Sequence, residues 1–175
     1  MRFALTLLVS AAALCAADAP RRAPGFALPD SKMEVHDLYD FHGKPVIVEF
    51  MKTNCPHCNS FADVLTKIHE KYGDRVGILS IANPPDTTAT VAKFIEDHKV
   101  AYPIVFDSGQ ACYSYVRKQH VDVPQVYLID AEGMIYKHFE NDAMAKDIFE
   151  GDGLLWELDH MLDPAAKALP AGKKK

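Results

Sequence analysis

The stretch that most restricts the fold is the run Val46-Ile47-Val48-Glu49-Phe50, followed closely by Cys55-Pro56-His57-Cys58. The first run is near-continuously apolar, as strands buried on both faces in the middle of a sheet are. Beyond Cys58, apolar residues fall at Phe61, Val64, Leu65, Ile68 and Tyr72, the spacing of one helix face. Gly73 ends that helix. A buried strand thus runs into a helix, and two cysteines separated by two residues sit on the junction.

The alternation continues downstream. Residues 75–81 read as a second buried strand, broken by Asn83-Pro84-Pro85-Asp86. Asp86 is placed to cap the next helix, whose buried side carries Val91, Phe94 and Ile95. Residues 102–106 form a third strand, and its proline puts it at or near an edge. Ala111, Cys112, Tyr115 and Val116 mark a short helix. Residues 125–129 and 134–139 flank the turn Asp130-Ala131-Glu132-Gly133 as a hairpin. A final helix runs over 154–162 and stops at Pro164. Alternating elements give parallel strands by crossover, and the hairpin adds antiparallel ones. The predicted fold class is α/β, a mixed central β-sheet with helices on both faces.

A chain of 175 residues with 49% hydrophobic and 25% charged residues is long enough for one domain with a real core. The net charge of -5 argues against nucleic acid, because phosphate binding needs clustered cations. Met1-Arg2 precedes an apolar run at 3–14 and the small residues of Cys15-Ala16-Ala17. That run is too short to span a bilayer core of ~30 Å. Residues 1–17 therefore read as a secretory signal cleaved near Ala17, with a retained anchor as the alternative. Residues 18–29 hold three prolines and two arginines and read as an extended leader, with Phe26 and Leu28 alternating as in an edge strand. The folded domain is assigned to 30–164. Residues 165–175 are assigned to a disordered basic tail that ends in Lys173-Lys174-Lys175. The expected location is periplasmic or otherwise extracytoplasmic, and the expected state is a monomer.

If Cys15 leaves with the signal, Cys55, Cys58 and Cys112 remain. A Cys55–Cys58 disulfide closes almost no loop and would add little stability, so its use is chemical. Cys55 stands at a helix start, where free N–H groups and the macrodipole favour negative charge. The thiolate is the nucleophile. Pro56 supports the helix start, and His57 can add a positive charge beside the sulfur. Cys58, one turn on, lies deeper. Cys55 is thus expected to attack and Cys58 to resolve the mixed disulfide, without a bound cofactor. One C-x2-C supplies two zinc ligands where a structural site needs four. Copper, held by the two thiolates and a histidine such as His120, is the softer metal alternative. Glu49 is either a solvated edge carboxylate or a buried acid that trades a proton with Cys58. Cys112, on the apolar side of its helix, reads as an inert buried thiol or as a second exchange site. Pro124 reads on spacing alone as a strand starter.

Taken together, these residues resemble the thioredoxin superfamily, in particular the secreted TlpA/ResA-type proteins. The segment 46–58 resembles their strand–CxxC–helix unit. Val123-Pro124-Gln125-Val126-Tyr127-Leu128-Ile129-Asp130 with Gly133 resembles their cis-proline strand and hairpin. The resemblance covers 26–162. It implies a cis Pro124 facing Cys55, and a Val123 backbone that pairs with an extended substrate segment. It also implies a proton role for Glu49. On this basis Cys55, Cys58 and Glu49 form the catalytic set. Val123, Pro124, Pro56 and His57 form the substrate-binding set. The implied partners are proteins with thiols or disulfides, together with a further, unidentified redox partner.

Three positions depart from that pattern. Asn54 replaces the usual Trp, Cys-Pro-His-Cys is the tetrapeptide of DsbA-type oxidases, and valine precedes the proline as in DsbA. A histidine between the cysteines stabilises the thiolate and makes the disulfide more oxidising, an effect for which DsbA is the standard example. No helical insertion like that of DsbA fits between Tyr72 and Val100. The frame resembles the reductases and the tuning residues resemble the oxidases, so the direction of electron flow stays open. Peroxiredoxins share the fold, but their P-x-x-x-T-x-x-C pattern meets Val48 and Lys52 where Pro and Thr should stand.

Overall fold

The computed structural model describes residues 21–118 and 120–163. The predicted signal, the start of the leader, Pro164 and the basic tail lie outside the described residues. Strands β1 (Ala27–Pro29) and β2 (Val35–Asp37) form a small antiparallel sheet, followed by a 3-10 turn at Leu38–Phe41. The main sheet is built from β3 (Val46–Met51), β4 (Gly77–Ala82), β5 (Ile104–Phe106), β6 (Gln125–Ile129) and β7 (Ile135–Glu140). Its order is β5-β4-β3-β6-β7. β3, β4 and β5 run parallel, while β6 and β7 join antiparallel. The apolar run at 46–50 therefore becomes the central strand, and every residue of β3 is buried.

Helix α1 (Pro56–Tyr72) leaves the end of β3, and α2 (Thr88–His98) connects β4 to β5. Helix α3 (Gln110–Val116) precedes β6. Two helices close the chain, α4 (Lys146–Glu150) and α5 (Asp152–Leu162). Strand alternation divides the core in two. Ile47, Met51, Ile78 and Leu128 pack against Phe61 and Leu65 of α1, Val91 of α2, Ile148 of α4 and Leu158 of α5. Val48, Phe50, Leu79 and Tyr127 pack on the other face against Ala111 and Tyr115 of α3 and the N-terminal segment. Period two places Glu49 on the α1 face with Ile47 and Met51, opposite Ser80 of β4.

Three details differ from the expectations raised by the sequence. Thr87, not Asp86, caps α2: its hydroxyl accepts the Thr90 amide, and Thr90 Oγ1 in turn accepts the Thr87 amide. Asp86 instead reaches back to the loop after β3. Helix α4 is unexpected, because five residues carry too few apolar positions to show a helical period. The described part of the leader is extended but not detached. Ala23 is buried and its amide donates to Gly133 O at 3.0 Å, and Asp30 bridges to Val105 at the β5 edge.

Candidate active site

β3 delivers the chain to the loop 52–55, and Cys55 becomes the N-cap of α1 in extended conformation (φ -89°, ψ 119°). Pro56 takes the first helical position, where its missing N–H costs nothing. Asn59 fixes this turn: its Nδ2 donates to Cys55 O at 2.6 Å and to Thr53 O at 2.9 Å. His98, at the end of α2, bridges Asn59 Oδ1 and Asp63 Oδ1, each at 2.9 Å. Asp86 secures the loop from the other side, accepting the Thr53 amide at 2.9 Å and the Thr53 hydroxyl. Pro56 and His57 stay exposed and Cys55 is half-buried.

The Cys55 thiol donates to Val123 O at 3.4 Å. The Val123–Pro124 peptide is cis. Gln125 steadies this loop, with its Nε2 donating to Asp122 O at 2.8 Å. Its Oε1 accepts from His138 Nε2 at 2.7 Å, and the imidazole stacks on Tyr127. Burial lowers the pKa of His138 from its ordinary value. The hydrogen bond to Gln125 uses the Nε2–H of the ring, since Gln125 spends its own NH2 on Asp122.

Cys58 is fully buried one helical turn inside. Burial first, then the charge of Glu49, push its thiol well above the ordinary cysteine value, and its contact with Cys55 adds to the rise. Glu49 is only 2% exposed. The solvated-edge alternative therefore falls, because β3 is the middle strand. Ser80 Oγ donates to Glu49 Oε2 at 2.6 Å, while Oε1 is buried without a hydrogen-bond partner among the described residues. Desolvation raises the Glu49 carboxyl to about 7, with the Ser80 bond pulling the other way. The buried Tyr102 hydroxyl lies near the same group. Burial and the Glu49 charge raise its pKa.

Cys55, Cys58, Glu49, Val123, Pro124, Pro56 and His57 thus gather at the carboxyl end of β3. The three described cysteines are free thiols. Cys112 stands apart on α3, where burial and then Asp107 raise its thiol to about 11. Among the described residues, the one group of three metal-capable side chains within 4.8 Å of one another is Asp30, Glu34 and His36. The copper set of Cys55, Cys58 and His120 is not assembled. Sequence reasoning missed Ser80, Tyr102, Asn59, His98, Gln125 and His138. Ser80 had a signal: it is the one hydroxyl in the apolar run 76–82, as Glu49 is the one charge in 46–50.

A half-buried thiol at a helix start, a buried thiol one turn on and a buried acid in the strand beneath them are parts suited to thiol–disulfide exchange. Comparison with known proteins agrees. The profile of the AhpC/TSA family matches residues 20–138. The thiol–disulfide oxidoreductase ResA of Geobacillus kaustophilus is 30% identical over 132 residues, covering 73% of this chain and 72% of its own. A putative thiol:disulfide interchange protein DsbE from Chlorobium tepidum superposes with a TM-score of 0.66 at 25% identity, covering 79% of this chain and 96% of its own. A secreted Mycobacterium tuberculosis disulfide oxidoreductase shares the fold with a TM-score of 0.63 at 21% identity, covering 76% and 96%. The chain belongs to the AhpC/TSA family of thioredoxin-like proteins, among the thiol–disulfide oxidoreductases similar to ResA.

Proposed function

We propose that this protein is an exported thiol–disulfide oxidoreductase that acts on cysteine pairs of other exported proteins through Cys55 and Cys58. The observation that carries this reading is the pairing of a half-buried Cys55, bonded to Val123 O, with a fully buried Cys58 over Glu49. In the reducing direction, the Cys55 thiolate attacks a substrate disulfide. A Cys55–substrate bond forms and one substrate thiolate leaves. Cys58 then gives its proton to the Glu49 carboxylate and attacks Cys55 Sγ. The second substrate thiolate departs, and a Cys55–Cys58 disulfide remains. The oxidising direction is the same sequence reversed. Val123 and the exposed rims of Pro56 and His57 receive the substrate segment as an added strand.

Export is inferred from the sequence of residues 1–17. Among the described residues no helix is long and apolar enough to cross a membrane. A peroxidase has less support, since Val48 and Lys52 stand where that chemistry wants Pro and Thr.

The Cys58→Ala variant tests the exchange reading. It should accumulate mixed disulfides through Cys55, visible as reductant-sensitive adducts, and Cys55→Ala should form none. Failure of the reduced C58A to trap any disulfide substrate would sink the proposal. The potential of the pair against glutathione assigns the direction. A value near about -270 mV marks a reductant like thioredoxin, and one near about -120 mV an oxidant like DsbA.

A further inference from the structure

Two depressions flank the nucleophile. One begins at His57 and runs to α4, where Asp142, Lys146 and Glu150 give it mixed charge. The other, a cavity of about 260 Å³, begins at Val123 and is framed by Lys52, Asn83, Cys112 and Lys118. No carboxylate among the described residues lines this second cavity, although the chain carries a net charge of -5.

The two lysines are not equivalent. Lys118 is already paired with Glu140 at 3.3 Å. Lys52 is half-buried, and its ammonium has no ion pair or hydrogen bond among the described residues. Its backbone belongs to the nucleophile's own loop, since Lys52 O accepts the Cys55 amide at 3.1 Å. Its side chain lines the cavity beside Cys112, and its charge opposes the effect of burial on the Cys112 thiol. The nearby buried carboxylate, Asp107, is already engaged: its oxygens accept the Ala111 and Cys112 amides at 3.1 and 2.8 Å. A cation without a counter-ion at the wall of a concave site is available to an arriving carboxylate.

We propose that the Val123 cavity is a subsite for a carboxylate side chain of the substrate, an Asp or Glu close to the reacting cysteine, held by Lys52. This rests on the exchange reading above and narrows its substrates to acidic segments. A segment laid along Val123 as an added strand sends alternate side chains to opposite sides. One set then enters the Lys52 cavity while the cysteine faces Cys55. Cys112 at the cavity wall is a neighbour of this subsite and takes no part in the exchange.

The test uses the reduced full-length protein and short peptides whose single cysteine is capped as a 2-thiopyridyl disulfide. The peptides differ only in carrying Glu, Gln or Lys next to the cysteine, on either side, the positions that alternation sends to the face opposite the reacting sulfur. The release of thiopyridone gives the rate. At low salt the wild type should react with the best-placed Glu peptide about five-fold faster than with its Gln counterpart, the size of a partly exposed ion pair, and slowest with Lys. That ratio should shrink with added salt, approach unity in Lys52→Ala, invert in Lys52→Glu and return in Lys52→Arg. Reading a ratio within each variant removes any general effect of the substitution on the loop. Equal rates for the three peptides in the wild type, or a preference that survives Lys52→Ala, would overturn the subsite and leave the exchange reading standing. If no peptide reacted at all, the exchange reading itself would fail.

Discussion

Glu49 is the residue whose environment decides the timing of the proposed reaction. Its carboxyl titrates at about 7 because desolvation outweighs the single Ser80 bond. It can therefore both accept and return a proton near neutrality. Cys58 stays protonated until such a base acts, because burial and the Glu49 charge hold its thiol far above the ordinary range. For the wild type, the rate of resolving a pre-formed Cys55 mixed disulfide should rise with pH through about 7. In Glu49→Gln that inflection should vanish, and resolution near neutrality should slow by about 10²-fold, the lower range for a positioned acid–base group. In Ser80→Ala the inflection should move upward, since the bond that lowers the carboxyl is gone. Stopped-flow measurement across pH reads all three, and an unchanged profile in E49Q would remove Glu49 from the chemistry. The residue stands out in the sequence because a lone charge in Val-Ile-Val-Glu-Phe must be either at an edge or buried with a purpose. What the sequence could not show was that Ser80, from a strand 31 residues away, supplies its one partner.

The element that holds Cys55, the proposed nucleophile, is the junction of β3 and α1, and its supports come from elsewhere in the chain. Asp86, in the β4–α2 loop, binds both the amide and the hydroxyl of Thr53, 33 residues earlier. Along the sequence, Asp86 looks like a helix cap. Thr87 takes that role because its hydroxyl meets the Thr90 amide, which leaves the carboxylate for Thr53 in the loop before Cys55. Asp86→Ala should cost about 1.5–3 kcal/mol in denaturant unfolding, the usual worth of a hydrogen bond to a charged group. Hydrogen exchange at the Thr53 and Cys55 amides should quicken by more than that global loss accounts for. Unfolding and exchange indistinguishable from wild type would show the tie to be idle. The strands and long helices were readable because their apolar periods are local. The ties Asn59–His98, Thr53–Asp86 and Gln125–His138 were not, because each joins polar residues whose pairing depends on which elements the sheet brings together.

For the whole molecule, the buried acid carries a cost in stability that depends on pH. The folded value of Glu49, about 7, lies above the reference value of 4.5, so the fold favours the protonated form. Its contribution is fully present below about 4.5 and is lost as pH rises through 7, a loss on the order of 3 kcal/mol by linkage. His138 acts in the opposite sense. Its lowered pKa means stability is lost as pH falls below its ordinary value of 6.5. Comparing E49Q with wild type in urea at pH 4.5 and pH 8 isolates the first effect. The variant should gain relative to wild type on going to the higher pH, and parallel curves would contradict burial of an ionisable Glu49 in solution.

The register of the sheet also fixes which way the protein faces. Val46 at the start of β3 pairs with Ile129, while Cys55 follows Met51 at the other end. Arg22 bridges to Met134 and Arg21 O accepts the Ile135 amide, beside the Val46 end. Arg21 and Arg22 therefore lie at the pole opposite Cys55, separated by about the length of β3, about 17 Å at ~3.3 Å per residue. A resin, a surface or a fused domain attached directly at Arg21 would therefore meet the protein at the pole away from Cys55.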